Sequence, residues 1–466
     1  MKKNVLLILA LLAVSTWCAA TDYGRYYKNM PVAMPVPVQP TIAETRLSLT
    51  ECGGVGDGLT MNTEAFAKAM SRLQKQGGGH LDVPAGVYLT GPIVLKDGID
   101  LHLDKNAIIV FSPDKKDHYK IEDGKPTTKM ANAISASKRK NVSITGQGTI
   151  DGNGEWWRAV KRGKQSDVEW RRYLEMGGAV SEKGDLWYPF NLKHFDNVAP
   201  TAQEQEGMRQ KLVKFTDCEN VLIQGVTVMN SPNFHINPQR CRNVIIDGVT
   251  VKCPWNAQNG DAIDIGNCKD VLIVNNVVDC GDDAICMKGG QGQRGVDAGP
   301  CENINIQDNH VYHGHGGFVI GSDCSGGMKN ILVRNNVFTG TDVGLRFKSA
   351  VKRGGPTENI FIDHIYMTDI ASAAVSFETT YWDNHVGAEK PKTLTKGDFP
   401  PDFGDIHMSD IVCRGCKTAV EAHGQKGMVH GVTITDSKFF YTEKAADIDA
   451  DCDVKMERVE MATFGR

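Results

Sequence analysis

One pattern recurs along the chain and limits its fold more than any other feature. An Asn or Asp is followed by an apolar residue, any residue, and a second apolar residue. It stands as Asn141-Val-Ser-Ile, Asn220-Val-Leu-Ile, Asn243-Val-Ile-Ile and Asp270-Val-Leu-Ile. It continues as Asn303-Ile-Asn-Ile, Asn330-Ile-Leu-Val and Asn359-Ile-Phe-Ile, with a weaker copy at Asp405-Ile-His-Met. From Asn220 to Asn359 the copies lie 23 to 33 residues apart. Short alternating strands at that period, separated by Gly, Asn and Asp turns, indicate a solenoid. No 3.6-residue periodicity recurs, which excludes helical solenoids. The expected fold class is all-β, a parallel β-helix in which each coil adds one strand to each sheet. Equivalent residues then lie one strand spacing apart, about 4.8 Å. Asn tolerates the left-handed backbone such turns need, and its amide can bond from coil to coil.

The repeat changes how composition reads. A solenoid has no fixed core size, so 466 residues need not form several domains. The formal net charge of -4 gives no reason to expect a nucleic-acid partner. Thirteen Cys are too sparse for a disulfide scaffold in a chain this long. Cys218, Cys241, Cys268 and Cys301 each precede a coil's first residue by two, and Met328 continues the column. We read the column as stacked small hydrophobes, because a soft-metal site needs convergent ligands. Adjacent members are close enough for a disulfide. Cys413 and Cys416 form a lone CxxC, read as structural.

At the N-terminus Lys2 and Lys3 precede an apolar run, Val5 to Val14, and the small residues Cys18, Ala19 and Ala20. This describes a secretory signal, too short to span a bilayer. No other run is long and apolar enough to span one. Residues 1–20 are expected to be removed and the protein exported, to the periplasm or beyond. Residues 21–45, rich in Pro, read as an extended linker. Residues 46–466 read as a single β-helix catalytic domain with a loop insertion at about 153–210. Phe66, Ala69, Met70 and Leu73 lie at helical spacing behind Asn62, so an N-terminal capping helix is expected.

Four short motifs interrupt the repeat: Asn259-Gly-Asp261, Gly281-Asp-Asp283, Gly314-His-Gly316 and Arg346-Phe-Lys348. They fall 12 to 18 residues after the starts of their coils, so they are expected to line one groove across the strands of one face. A long groove suits a polymer. Adjacent residues on a flat strand face opposite sides. Asp282 and Asp283 therefore need a bend at Gly281, or one of them is internal. Glycoside cleavage needs one protonated and one ionised carboxyl, and clustered Asp beside cations supply both. Taken singly, an Asp in a turn is usually a backbone cap. Their coincidence in one column points to chemistry instead.

With Gly56-Asp-Gly, Gly77-Gly-Gly, Pro84-Ala-Gly and Thr90-Gly-Pro, these motifs resemble, in order and spacing, the polygalacturonases of glycoside hydrolase family 28. The resemblance runs over about residues 50–440. Gly260 and Phe347 depart from the family's Thr and Ile, and neither change removes a catalytic group. The resemblance implies a right-handed parallel β-helix and an inverting hydrolase of α-1,4-galacturonosyl linkages in pectin. It implies that Asp282 is the general acid and that Asp261 and Asp283 position and deprotonate the water. His315 would orient the acid or hold its protonation state. Arg346 and Lys348 would bind a uronic carboxylate, and Asn259 and Tyr381 would join the substrate site. No metal and no cofactor is expected. The expected partner is a pectic poly- or oligosaccharide, bound by a monomer.

Phe234-His-Ile-Asn-Pro238 precedes Asp261 by one coil, so His235 or Asn237 would touch substrate or pack. The insertion holds Trp156, Trp157, Trp170, Trp187, Arg171 and Arg172. Trp stacks on sugar faces and Arg binds uronates. If the insertion walls off one end of the groove, the enzyme acts from a chain end. Three other readings stay open. They are a rhamnogalacturonan or substituted-galacturonan hydrolase, a pectate lyase using Ca²⁺, and a non-catalytic glycan-binding β-helix.

Overall fold

The computed structural model describes residues 21–122, 125–189, 207–382 and 397–465. The expected leader, 1–20, lies outside the described residues. Of the described strands, 33 join one continuous sheet that winds into a right-handed parallel β-helix. One coil shows the plan. Val213–Thr216, Glu219–Gln224 and Thr227–Met229 follow one another, and Ile236–Gln239 then returns to pair in parallel with the first. The core is a long stack of Val, Ile, Leu and Phe filling the inside of the coils.

The repeated Asn does what its position requires. The eight residues from Asn141 to Asp405 that open the copies all have left-handed φ, between 52° and 60°. Their amides form a ladder. Asn220 donates to Asn141 at 3.0 Å and Asn243 to Asn220 at 2.9 Å. Asn303 donates to Asp270 at 2.8 Å, Asn330 to Asn303 at 3.0 Å and Asn359 to Asn330 at 3.0 Å. The sulfur column is also present. The Cys218 N–H points at Cys241 Sγ, 3.4 Å away, and the Cys241 N–H at Cys268 Sγ, 3.3 Å away. All the described cysteines are free, so the column is packing and not a disulfide stack.

Helix α1, Thr63–Lys75, forms where the periodicity placed it, and buries Phe66, Ala69, Met70 and Leu73 against the first strands. Residues 21–45 differ from the expected linker. Tyr23–Tyr27 is a short helical turn whose Tyr23 and Tyr26 are buried against Ile245, Leu272 and Val274 on the outside of the solenoid. Tyr23 also donates a hydrogen bond to Asp247 at 3.0 Å. Only the stretch after it runs without helix or strand. The segment is a docked strap, because its two aromatic rings find an apolar patch on the outer face.

The described part of the insertion contains α2, Asp167–Glu175, and a small antiparallel sheet of Val160–Lys161, Ala179–Val180 and Leu186–Tyr188. A capping box between Ser166 and Glu169 starts the helix. Residues 190–206 lie outside the described residues.

Candidate active site

Six strands of one face carry the site: β1 (Val213–Thr216), β2 (Ile236–Gln239), β3 (Ile263–Gly266), β4 (Asp283–Lys288), β5 (Gly316–Ser322) and β6 (Leu345–Ser349). The two-residue alternation slips at the start of these strands. Ala262 and Ile263 both join the core, and so do Ala284 and Ile285. The slip turns Asp261 and Asp283 outward together with Asp264, Cys286 and Lys288. The slipped position must be small. At the equivalent Gly317 an added Cβ would lie 2.5 Å from the Phe338 ring, and at Gly344 it would lie 2.1 Å from the Met367 sulfur. This resolves the question of the adjacent acids. Asp282 stands in the bend before β4, and Asp283 is the first residue of the strand. Gly281 is required by close approach, since a Cβ there would meet the Ala257 carbonyl oxygen at 2.5 Å.

Oxygens of Asp261, Asp282 and Asp283 lie within 4.8 Å of one another. Their environments differ. Asp282 Oδ1 accepts from the Asp283 N–H at 3.0 Å and faces His315 Nδ1 at 3.1 Å, and Oδ2 accepts from the Asn259 N–H at 3.2 Å. Burial raises its pKa, but the hydrogen bond from His315, then the charges of Lys348 and Lys288, outweigh burial and hold it well below the usual range. Asp261 is pushed the other way, first by burial and then by the charges of Asp282 and Asp264, with Lys288 opposing. Its Oδ1 has no hydrogen-bond partner among the described residues. Asp283 is buried, which raises it, yet Lys348 at 2.8 Å wins and the carboxyl is held low. The three environments thus push Asp261 up and Asp282 and Asp283 down.

The cations form a second layer. Lys288 Nζ lies 3.7 Å from Asp261, 3.8 Å from Asp264 and 4.0 Å from Asp283. Arg346 lies 3.6 Å from Asp283. The Tyr381 ring packs under Lys348 at 4.7 Å and Arg346 at 5.4 Å. All of the residues expected at the site are therefore brought together, with one change of role. The Asn259 side chain is engaged by Arg209 at 2.8 Å, and its backbone N–H is the group that touches the acids. His235 is a packing residue. It is fully buried, its Nδ1 pairs with the Asp261 carbonyl at 2.9 Å, and its Nε2 accepts from the Ser231 N–H at 3.1 Å.

Sequence reading missed several neighbours. Asp264 and Lys288 follow Asp261 and Asp283 by three and five positions, and the slip at Ala262 and Ala284 is the signal that turns them outward. Lys164 reaches in from the insertion and donates to His315 Nε2 at 3.3 Å. That bond leaves the imidazole proton on Nδ1, facing Asp282. Beside them lies a hollow of about 360 Å³ lined by Lys164, Trp255, His313, His315 and Asp342. Trp255 is 58% exposed there. Of the insertion's Trp residues, Trp157, Trp170 and Trp187 are buried and only Trp156 is exposed.

Fold and site together define a parallel β-helix with clustered carboxyls and cations in one groove of its face. The family model for glycosyl hydrolases family 28 matches residues 177–454. The chain belongs to this family. It is 31% identical over 393 residues to an exo-poly-alpha-D-galacturonosidase of Dickeya chrysanthemi, covering 81% of this chain and 64% of that protein's length. It is 28% identical over 335 residues to an endo-polygalacturonase of Pectobacterium carotovorum, covering 70% of this chain and 71% of that protein. Among solved structures it is similar to a hyperthermoactive exopolygalacturonase of Thermotoga maritima. That match has a TM-score of 0.75 and 30% identity, and covers 92% of this chain and 94% of the other.

Proposed function

We propose that the protein hydrolyses α-1,4-galacturonosyl linkages of pectic fragments, working from a chain end, as an exported monomer. The observation that carries this is the cluster itself: three carboxyls in one groove, their pKa values pushed in opposite directions, flanked by Arg346, Lys348 and Lys288. Hydrolysis needs one protonated and one ionised carboxyl, and a uronate polymer needs those cations. In the described residues no helix is long and apolar enough to cross a membrane.

The trio and His315 act as one proton-sharing unit. Asp282 is the most accessible of the three, with 16% of its side chain exposed, against 3% for Asp261 and 2% for Asp283. It therefore faces the leaving oxygen and donates the proton, as the family resemblance implies. The proton comes from His315 Nδ1 as His315 Nε2 takes one from the Lys164 ammonium, whose burial lowers its pKa. Asp283, kept ionised by Lys348, takes a proton from the attacking water, and Asp261 orients that water. The carboxylates are closer than the roughly 6.5–9.5 Å of most inverting pairs. Inversion therefore rests on the family resemblance and not on this spacing, with Asp261 and Asp283 holding the water. Proton NMR of the first-formed anomer checks this. The β anomer is expected, and the α anomer would rule out inversion.

Chain-end action rests on Lys164, which brings the insertion onto the catalytic His315. Chromatography of early digests of polygalacturonan tests it. Mono- or disaccharide alone supports the reading, and an early ladder of oligomers refutes it. An unsaturated product, or loss of activity with a chelator, would instead indicate a lyase.

A further inference from the structure

The outer positions that carry Asp261 and Asp264 on β3 can be followed from coil to coil. The paired strands place Val213 beside Ile236, and Ile236 beside Ile263. The position of Asp261 is then held by Phe234 on the preceding coil and by Lys211 on the one before. The position of Asp264 is held likewise by Asn237 and by Lys214. Two lysines thus stand two coils upstream of two aspartates, at the same two places in the strand. Two strand spacings put them about 10 Å away along the groove. On the other side, Arg346 lies in the Asp264 column, reached through Cys286 and Val319.

Neither lysine is spent on an acid. Among the described residues neither forms an ion pair. Lys214 donates to Asn237 Oδ1 at 2.7 Å, and Lys211 lies over the Phe234 ring at 4.7 Å. Both are half-buried, and two ammonium groups held close together on a desolvated face repel each other. Burial pushes Lys214 down to about 6 and lowers Lys211 as well. An arriving anion offsets the burial, draws a proton from solvent onto Lys214 and stabilises the charged pair. The Phe234 ring between Lys211 and Asp261 offers the flat apolar surface on which a sugar face packs.

We propose that Lys211 and Lys214, with Phe234, form a second uronate subsite on the side of the acids opposite Arg346 and Lys348. It takes the carboxylate of a galacturonosyl unit upstream of the cleaved bond. The substrate is then held by a cationic clasp at each end, with the acid trio between. This rests on the hydrolase reading above and extends it to which sugars must carry a free carboxylate.

The test is steady-state kinetics of Lys211→Met and Lys214→Met on a galacturonate trisaccharide. KM is expected to rise about tenfold for each, the usual size for a lost charge-assisted hydrogen bond. Little change in kcat is expected, with a weaker dependence of KM on salt. On a trisaccharide whose carboxyls have been reduced, both variants should match the wild type. Unchanged KM on the acidic substrate overturns the subsite, and so does a fall in kcat alone. If Lys214→Met fails to fold, Lys211→Met and the charge-preserving Lys214→Arg carry the same comparison. A wild-type protein that cleaves no galacturonan sinks the hydrolase reading itself, whereas cleavage with indifferent lysines sinks only the subsite.

Discussion

Two columns run along the same coils and obey opposite rules. On one turn Asn repeats from Asn141 to Asn359 with Asp270 the one exception, and Asn220, Asn303 and Asn330 each donate to one neighbour and accept from the other. On the face that bears the Asp trio, one column repeats no residue: Lys214, Asn237, Asp264, Cys286, Val319 and Arg346. An amide stack satisfies itself because Asn is both donor and acceptor. A carboxylate only accepts. Where Asp270 enters the ladder, Arg242 must supply a donor at 3.0 Å. On the catalytic face Lys288, Lys348 and Arg346 play that part, and still leave Asp261 Oδ1 and Asp283 Oδ1 without a hydrogen-bond partner among the described residues. Repetition holds the coils together, and departure from repetition creates the chemistry.

The comparison can be broken by swapping effects between the columns. Asp261→Asn and Asp283→Asn should each cut kcat about 10²–10⁴-fold, measured as reducing-sugar release, with the fold intact by circular dichroism. Arg346→Met comes next. It removes a cation that neighbours Asp283 and would meet substrate, and kcat/KM should fall about tenfold to a hundredfold. Asn303→Ala is expected to leave kcat unchanged. It removes two ladder bonds and should lower stability by about 1–2 kcal/mol in urea unfolding. An equal loss of activity would mean that the ladder is not a separate structural device.

The smallest effect is a pH dependence at Asp264. Burial pushes it up from 3.8 to about 6, with Lys288 opposing and Asp283 adding to the rise. A carboxyl raised in the folded state binds more protons there than in the unfolded chain. Its contribution is fully present below about pH 4 and is lost as pH rises through 6. The melting temperature of Asp264→Asn should therefore fall less between those pH values than that of the wild type. A parallel decline of the two would contradict the shift.

Much of this was legible in the sequence. The repeat fixed the solenoid, because Asn at a left-handed turn and alternating apolar residues leave few other folds. The four motifs located Asp261, Asp282, Asp283, His315, Arg346 and Lys348 in one groove. Lys288 and Asp264 are hidden in the sequence because the slip at Ala262 and Ala284 shows only when the core is seen. Lys164 was illegible, since no pattern tells which residue of an insertion folds back onto a distant His. The strap at Tyr23 and Tyr26 is hidden in a Pro-rich stretch, because the partners of its two aromatics lie more than 200 residues away.

The central claim is that the Asp trio on this face hydrolyses galacturonan with Asp282 as the acid. Reducing-sugar release from polygalacturonan by the wild type and by Asp282→Asn tests it most directly. Activity in the wild type with a fall of at least about a hundredfold in the variant, both proteins folded, is the predicted result. Full activity in Asp282→Asn would contradict it.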